Sequence, residues 1–138
     1  MEWLFFAILS ASAAAFTAIL AKIGVEGVPS TLATAIRTVI VLVFVWLMVL
    51  GFHEQRALSS ISRRSLVFLL LSGLGTGISW LAYFRALQIG PASRVAPIDK
   101  LSLPLTILLA ALWLGEAMTV RLIVGVALMT VGALLTIA

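Results

Sequence analysis

Five apolar stretches decide what this chain can be. Residues 3–21, 31–50, 66–87, 93–114 and 120–138 are nearly unbroken runs of Leu, Ile, Val, Ala, Phe and Gly, separated by short segments that hold most of the charge. A helix needs about 20 consecutive apolar residues to cross the ~30 Å hydrocarbon core of a bilayer. Inside that core every backbone N–H and C=O must find its partner within the protein, which a helix achieves by itself. The chain is 63% apolar and 10% charged, where soluble domains carry about 25% charged residues. The expectation is an all-α integral membrane protein, a single domain over 1–138 with five transmembrane helices.

Much chemistry is excluded by the same reading. There is no cysteine, hence no disulfide framework, thiol nucleophile or thiolate metal site. The single histidine, His53, lies in a hydrophilic loop without companions, so no metal centre and no cofactor are expected. No GxSxG, HExxH or phosphate loop occurs, and the chain does not read as an enzyme. The net charge of +4 is scattered over loops and helix ends, which suits membrane lipid headgroups rather than nucleic acid. The first stretch lacks a basic n-region and exceeds the roughly 7–15 residues of a signal-peptide h-region, so it reads as a permanent span.

Charges inside the apolar stretches carry the functional question. From Leu71 to Leu114 two spans are joined by a Gly90–Pro91 turn, and into them are set Arg85, Arg94, Asp99 and Lys100. An ionisable group at membrane depth is costly and faces protein or a water-filled interior. Pro97 and Pro104 interrupt the fourth span; lacking N–H groups, they free the carbonyls of Ser93 and Lys100 and predict a kinked, polar patch beside Asp99. Asp99 then has two readings, a working group or one half of an internal ion pair with Lys100, Arg94 or Arg37. Arg37 lies seven residues past Ser30, itself a candidate N-cap, and so roughly 10 Å into the second span. It shares a face with Thr34 and Thr38, which points it at something polar; the alternative is a guanidinium snorkelling to the interface. In the third span Gly73, Gly77, Trp80, Phe84 and Leu87 share one face, as cavity wall or bundle filling, and the Tyr83 hydroxyl needs a partner if buried.

Small residues mark where helices approach. Ala7, Ala11, Ala14, Ala18 and Ala21 form a seam along the first span, and Gly125 and Gly132 share a face of the fifth. Such seams substitute for a hydrophobic driving force, which lipid does not provide. Arg56, Arg63, Arg64 and Arg121 lie on the side of the N-terminus, which makes that side cytoplasmic by the positive-inside rule. Lys22, Arg37, Arg85, Arg94 and Lys100 nearly balance them from the other side, as in chains that insert in both orientations.

The stretch SWLAYFRALQIGPASRVAPIDKLSLPLTILLAALWLGE, with the later G-x6-G and with Lys22 and Pro29 to Arg37, resembles the EamA-like branch of the drug/metabolite transporter superfamily. The resemblance spans nearly the whole chain. It implies metabolite export or exchange across the cell (inner) membrane. Most members have ten spans in two five-span halves of inverted topology; this chain is similar to one half, so the resemblance implies half of an inverted-repeat transporter. The Gly125/Gly132 pair is also similar to the dimer seam of small multidrug resistance proteins, but the first span holds no counterpart to their membrane-embedded glutamate.

From these readings the leading expectation is a transporter of a small polar metabolite, anionic or zwitterionic, acting as a homodimer that is parallel or antiparallel. Its candidate substrate-binding or coupling residues are Arg37, Trp80, Tyr83, Arg85, Asp99 and Lys100, with Asp99 as proton or amine partner. Pro97 and Pro104 break the helix, and Gly125 and Gly132 form the seam between copies. The competing readings are a non-transporting scaffold or accessory subunit whose charges are all paired internally, and a lipid-carrier flippase.

Overall fold

Each apolar stretch of the sequence is a helix in the computed structural model, which describes residues 2–137. Helix α1 spans Glu2–Gly24, α2 Ser30–Gly51 and α3 Arg63–Ile89. The fourth stretch is divided into α4 (Ala92–Asp99), α5 (Ser102–Leu109) and a π-helical turn, Ala110–Leu114; α6 (Val120–Leu135) is the fifth. The stretches α1, α2, α3 and Ala92–Leu114 are long and apolar enough to cross a membrane, while α6 is a shorter apolar helix. At 1.5 Å per residue its 16 residues reach about 24 Å, a mismatch that local bilayer thinning accommodates. A 3₁₀ helix, Glu54–Ser60, sits in the hydrophilic loop after His53 turns the chain in the left-handed region at φ 58°.

The hydroxyls within the spans serve their own helices. Ser12 donates to the Ile8 carbonyl at 2.9 Å, Thr76 to Ser72 at 3.0 Å, Thr106 to Ser102 at 2.9 Å and Thr130 to Val126 at 2.8 Å. Each of these four closes on a carbonyl four residues back, which satisfies the donor within its own helix.

Ser30 does not cap α2. It is the first helical residue, preceded by Pro29, and makes no capping hydrogen bond with its side chain. Proline fixes its own φ near the helical value and has no N–H to satisfy, so Pro29 starts the helix, and its carbonyl accepts from Ala33 N at 3.0 Å.

The fourth stretch breaks between the two prolines, at Lys100–Leu101. There the chain tightens into three-residue turns: Lys100 N donates to Pro97 O at 3.1 Å, Leu101 N to Ile98 O at 2.9 Å, and Leu103 N to Lys100 O at 3.0 Å. The last bond corrects an expectation, since the Lys100 carbonyl that Pro104 denies a helical partner is not free. Pro104 falls in the first turn of α5, where a missing N–H is harmless.

The chain forms two compact units. One, Leu20–Gln88, holds the end of α1, the loop to α2, α2, the 3₁₀ helix and nearly all of α3. Its buried side chains are Ala21, Val25, Thr34, Phe84 and Leu87. All five belong to the end of the unit where the α1–α2 loop meets the last turns of α3. Of the Ala seam of α1, Ala7, Ala11 and Ala14 are exposed, Ala18 is half-buried and Ala21 is buried. The other unit comprises α1 up to Ile19 and the chain from Ile89 on; in it α6 packs against α4 and α5, with Ala133 buried.

The glycine seams are not used inside the chain. A Cβ built on Gly73, Gly77, Gly125 or Gly132 meets nothing within 4 Å. Close approach at these faces, where it occurs, is to something other than this chain's described residues.

Candidate functional site

In the Leu20–Gln88 unit, α2 and α3 bring Arg37 onto an aromatic wall. The Arg37 guanidinium carbon lies 4.4 Å from the centroid of the Trp80 ring and 5.4 Å from that of Phe84. Trp80 and Phe84 are four residues apart, so α3 presents both rings on one face. Arg37 lies over π-systems, a placement that suits a planar, weakly hydrated cation. Thr34 and Thr38 donate to the Ser30 and Thr34 carbonyls, both at 2.8 Å, and so serve α2 itself. Arg37 is half-buried, Phe84 is 3% exposed and Thr34 5%.

Stacking occupies the face of the guanidinium and leaves its N–H edges, which form the fork that matches a carboxylate or phosphate. Among the described residues the one ion pair joins Lys100 to Asp99 at 3.3 Å, so no carboxylate of the chain occupies that fork. Tyr83, next along α3, is half-buried with its ring edge-on to Phe84, centroids 6.5 Å apart. Arg85 is exposed and donates to Gln88 Oε1 at 2.7 Å.

Two residues that the sequence reading did not single out for a site complete this end of the unit. The Lys22 ammonium donates to the Leu87 carbonyl at 2.7 Å, and Gln88 Nε2 donates to the Val28 carbonyl at 2.8 Å. The sequence does hold the signal for the first. The helical partner of the Leu87 carbonyl would be the N–H of residue 91, and residue 91 is proline. A carbonyl orphaned near a helix C-terminus attracts a cation.

Asp99 and Lys100 belong to the other unit. Adjacent residues on a helix do not face each other; these two pair because the chain leaves α4 between them. Their side chains are 35% and 56% exposed. Pro97 lies inside α4, while Gly125 and Gly132 lie on α6. No group of three or more His, Cys, Asp or Glu side chains converges among the described residues.

The whole chain, residues 1–138, matches the EamA-like transporter family. A curated relative from Sinorhizobium sp., described as an uncharacterized transporter in cobO 3'region, is 48% identical over 134 residues, covering 97% of this chain and 95% of the relative. No solved structure matches.

Proposed function

Because the chain belongs to the EamA-like transporter family, we propose that it exports or exchanges a small polar metabolite, anionic or zwitterionic, as a homodimer with the pathway passing Arg37. The family is one of membrane transporters, not of enzymes, and it does not name the solute. The observation that carries the anionic preference is the Arg37 fork, placed over Trp80 and without a carboxylate partner among the described residues. Trp80 and Tyr83 border it on α3. Arg85, bonded to Gln88, supports the mouth of the site rather than the solute.

Two facts favour assembly. The Asp99–Lys100 pair lies within a membrane-length stretch yet is half uncovered by its own chain; charges at that depth call for a second copy or a water-filled pathway. The 134 matched residues cover 95% of the Sinorhizobium relative, which leaves that protein no room for a second five-helix half. Inverted-repeat transporters place the site between halves near the midplane, and two copies in opposite orientation would supply both. Since the positive charges bias orientation only weakly, an N-terminus in the cytoplasm for one copy and outside for the other fits the sequence.

Reconstituted protein exposed to a panel of labelled metabolites tests this. Flux of an anionic or zwitterionic solute that falls at least tenfold in Arg37→Ala supports the reading. Purified lipid-carrier flipping without solute flux would replace it with the flippase, and neither activity would leave the scaffold.

A further inference from the structure

The 22–30 loop region, made of the last turn of α1, the connection 25–29 and the first residue of α2, is tied to the last turn of α3. Lys22 holds the Leu87 carbonyl at 2.7 Å across 65 residues of chain, and Gln88 holds the Val28 carbonyl at 2.8 Å across 60. Arg85 determines which way the Gln88 amide faces. Its N–H donates to Oε1 at 2.7 Å, which turns the amide nitrogen, the donor end, towards Val28. The two largest fully buried side chains are Val25 of the loop itself, at 1% exposure, and Leu87 of α3, at 0%.

Burial in the Leu20–Gln88 unit stops there. Along α2 beyond Thr34 and along α3 before Phe84 no described residue is buried. The buried residues of the unit lie at the loop end, and the end that carries the 3₁₀ helix is uncovered. Thr34, Arg37, Trp80 and Phe84 lie just inside the loop end. The loop's turn contains Gly27 at φ +72°, a conformation natural to glycine.

We propose that the 22–30 loop is a cap, latched by Lys22 and Gln88 with Arg85 positioning Gln88, whose release opens the Arg37 site at that end. Both bonds end on backbone carbonyls outside the regular helix ladder, so they can break and re-form without unwinding α3. Its use as a transport gate rests on Arg37 belonging to the solute pathway; the latch itself rests on the geometry above.

The natural absence of cysteine permits a clean test. Thr34→Cys places a thiol at a position 5% exposed, one turn from Arg37, and Ala133→Cys places another at 8% exposure in the other unit. Each is reacted in detergent with a charged, membrane-impermeant maleimide, with and without Lys22→Met or Gln88→Leu. The cap requires slow labelling of Thr34→Cys alone, at least tenfold faster labelling once either latch residue is changed, and an unchanged slow rate at Ala133→Cys. Unaltered Thr34→Cys labelling in the latch variants overturns it. Equal acceleration at Ala133→Cys also overturns it, since the substitutions would then unfold the chain as a whole. Gln88→Asn, polar but one methylene too short to reach Val28, serves if Gln88→Leu does not fold and must give the same acceleration. Faster labelling combined with normal flux in Arg37→Ala would keep the cap and remove Arg37 from the pathway.

Discussion

The Arg37 guanidinium lies 4.4 Å from the centroid of the Trp80 ring, and this contact joins the N-terminal half of α2 to the C-terminal half of α3. A cation on an indole face contributes about 0.5–1 kcal/mol when exposed and about 2 when desolvated. Arg37 is half-buried, so a value between these is expected. A double-mutant cycle of Arg37→Met and Trp80→Leu, read by unfolding in detergent, should give a coupling energy of about 1 kcal/mol. Methionine keeps an apolar stem but removes the cation, so either change alone ends the contact. Zero coupling would show that the two residues are neighbours only.

Burial concentrated at one end of the Leu20–Gln88 unit makes stability equally uneven. Phe84 is 3% exposed and Phe68, on the same helix, 62%. Removing a buried Phe side chain typically costs about 3–5 kcal/mol, through lost contacts and the cavity left behind. Phe84→Ala should therefore lower the unfolding free energy by that order. Phe68→Ala should change it by less than about 0.5 kcal/mol, the usual range for surface sites. Equal losses would mean that α3 is covered along its length by something outside this chain.

Open space around Gly125 and Gly132 separates the fold of one chain from assembly. Gly125→Leu and Gly132→Leu meet no neighbour in the described structure, so the helical content of the chain should be unchanged. If α6 is the surface between copies, both should abolish the dimer seen by light scattering in detergent, while Leu122→Ala leaves it intact. Dimers that persist in both glycine variants would move the interface to another seam, with Gly73 and Gly77 on α3 the next to test.

How much of this was legible in the sequence follows from which forces act locally. Helix positions were readable because hydropathy and length decide what crosses a bilayer, and Gly115, at φ +69°, closes the fourth stretch where the sequence has its turn. Which side chains meet was not readable to the same degree. Thr34 and Thr38 share a face with Arg37 and suggested a polar partner, but a hydroxyl in lipid returns to its own helix, which leaves the guanidinium to the aromatic rings. The break at Lys100 was signalled by Pro97 and Pro104; that three-residue turns would reclaim the Lys100 carbonyl was not. Lys22 reads in the sequence as one of several loop charges and as part of a resemblance. Its physical role needed the count from Pro91 back to Leu87, a relation between a missing donor and an acceptor four residues earlier that hydropathy does not register.

Asp99 remains the most informative single position. It pairs with Lys100 at 3.3 Å, but the break that brings the two together is built from the backbone, by Pro97, Pro104 and the turns at Lys100, Leu101 and Leu103. Asp99→Asn nearly preserves shape and leaves those turns in place, so the thermal midpoint should move by no more than a few degrees. Flux is where the change should appear. If Asp99 works as the proton or amine partner of the transported solute, Asp99→Asn should abolish coupled exchange at normal expression, and Lys100→Met should alter solute affinity without removing exchange. A protein that fails to fold on Asp99→Asn would make the pair structural. A stable variant with undiminished exchange would exclude Asp99 from both roles and leave Arg37 as the charge on which solute selection depends.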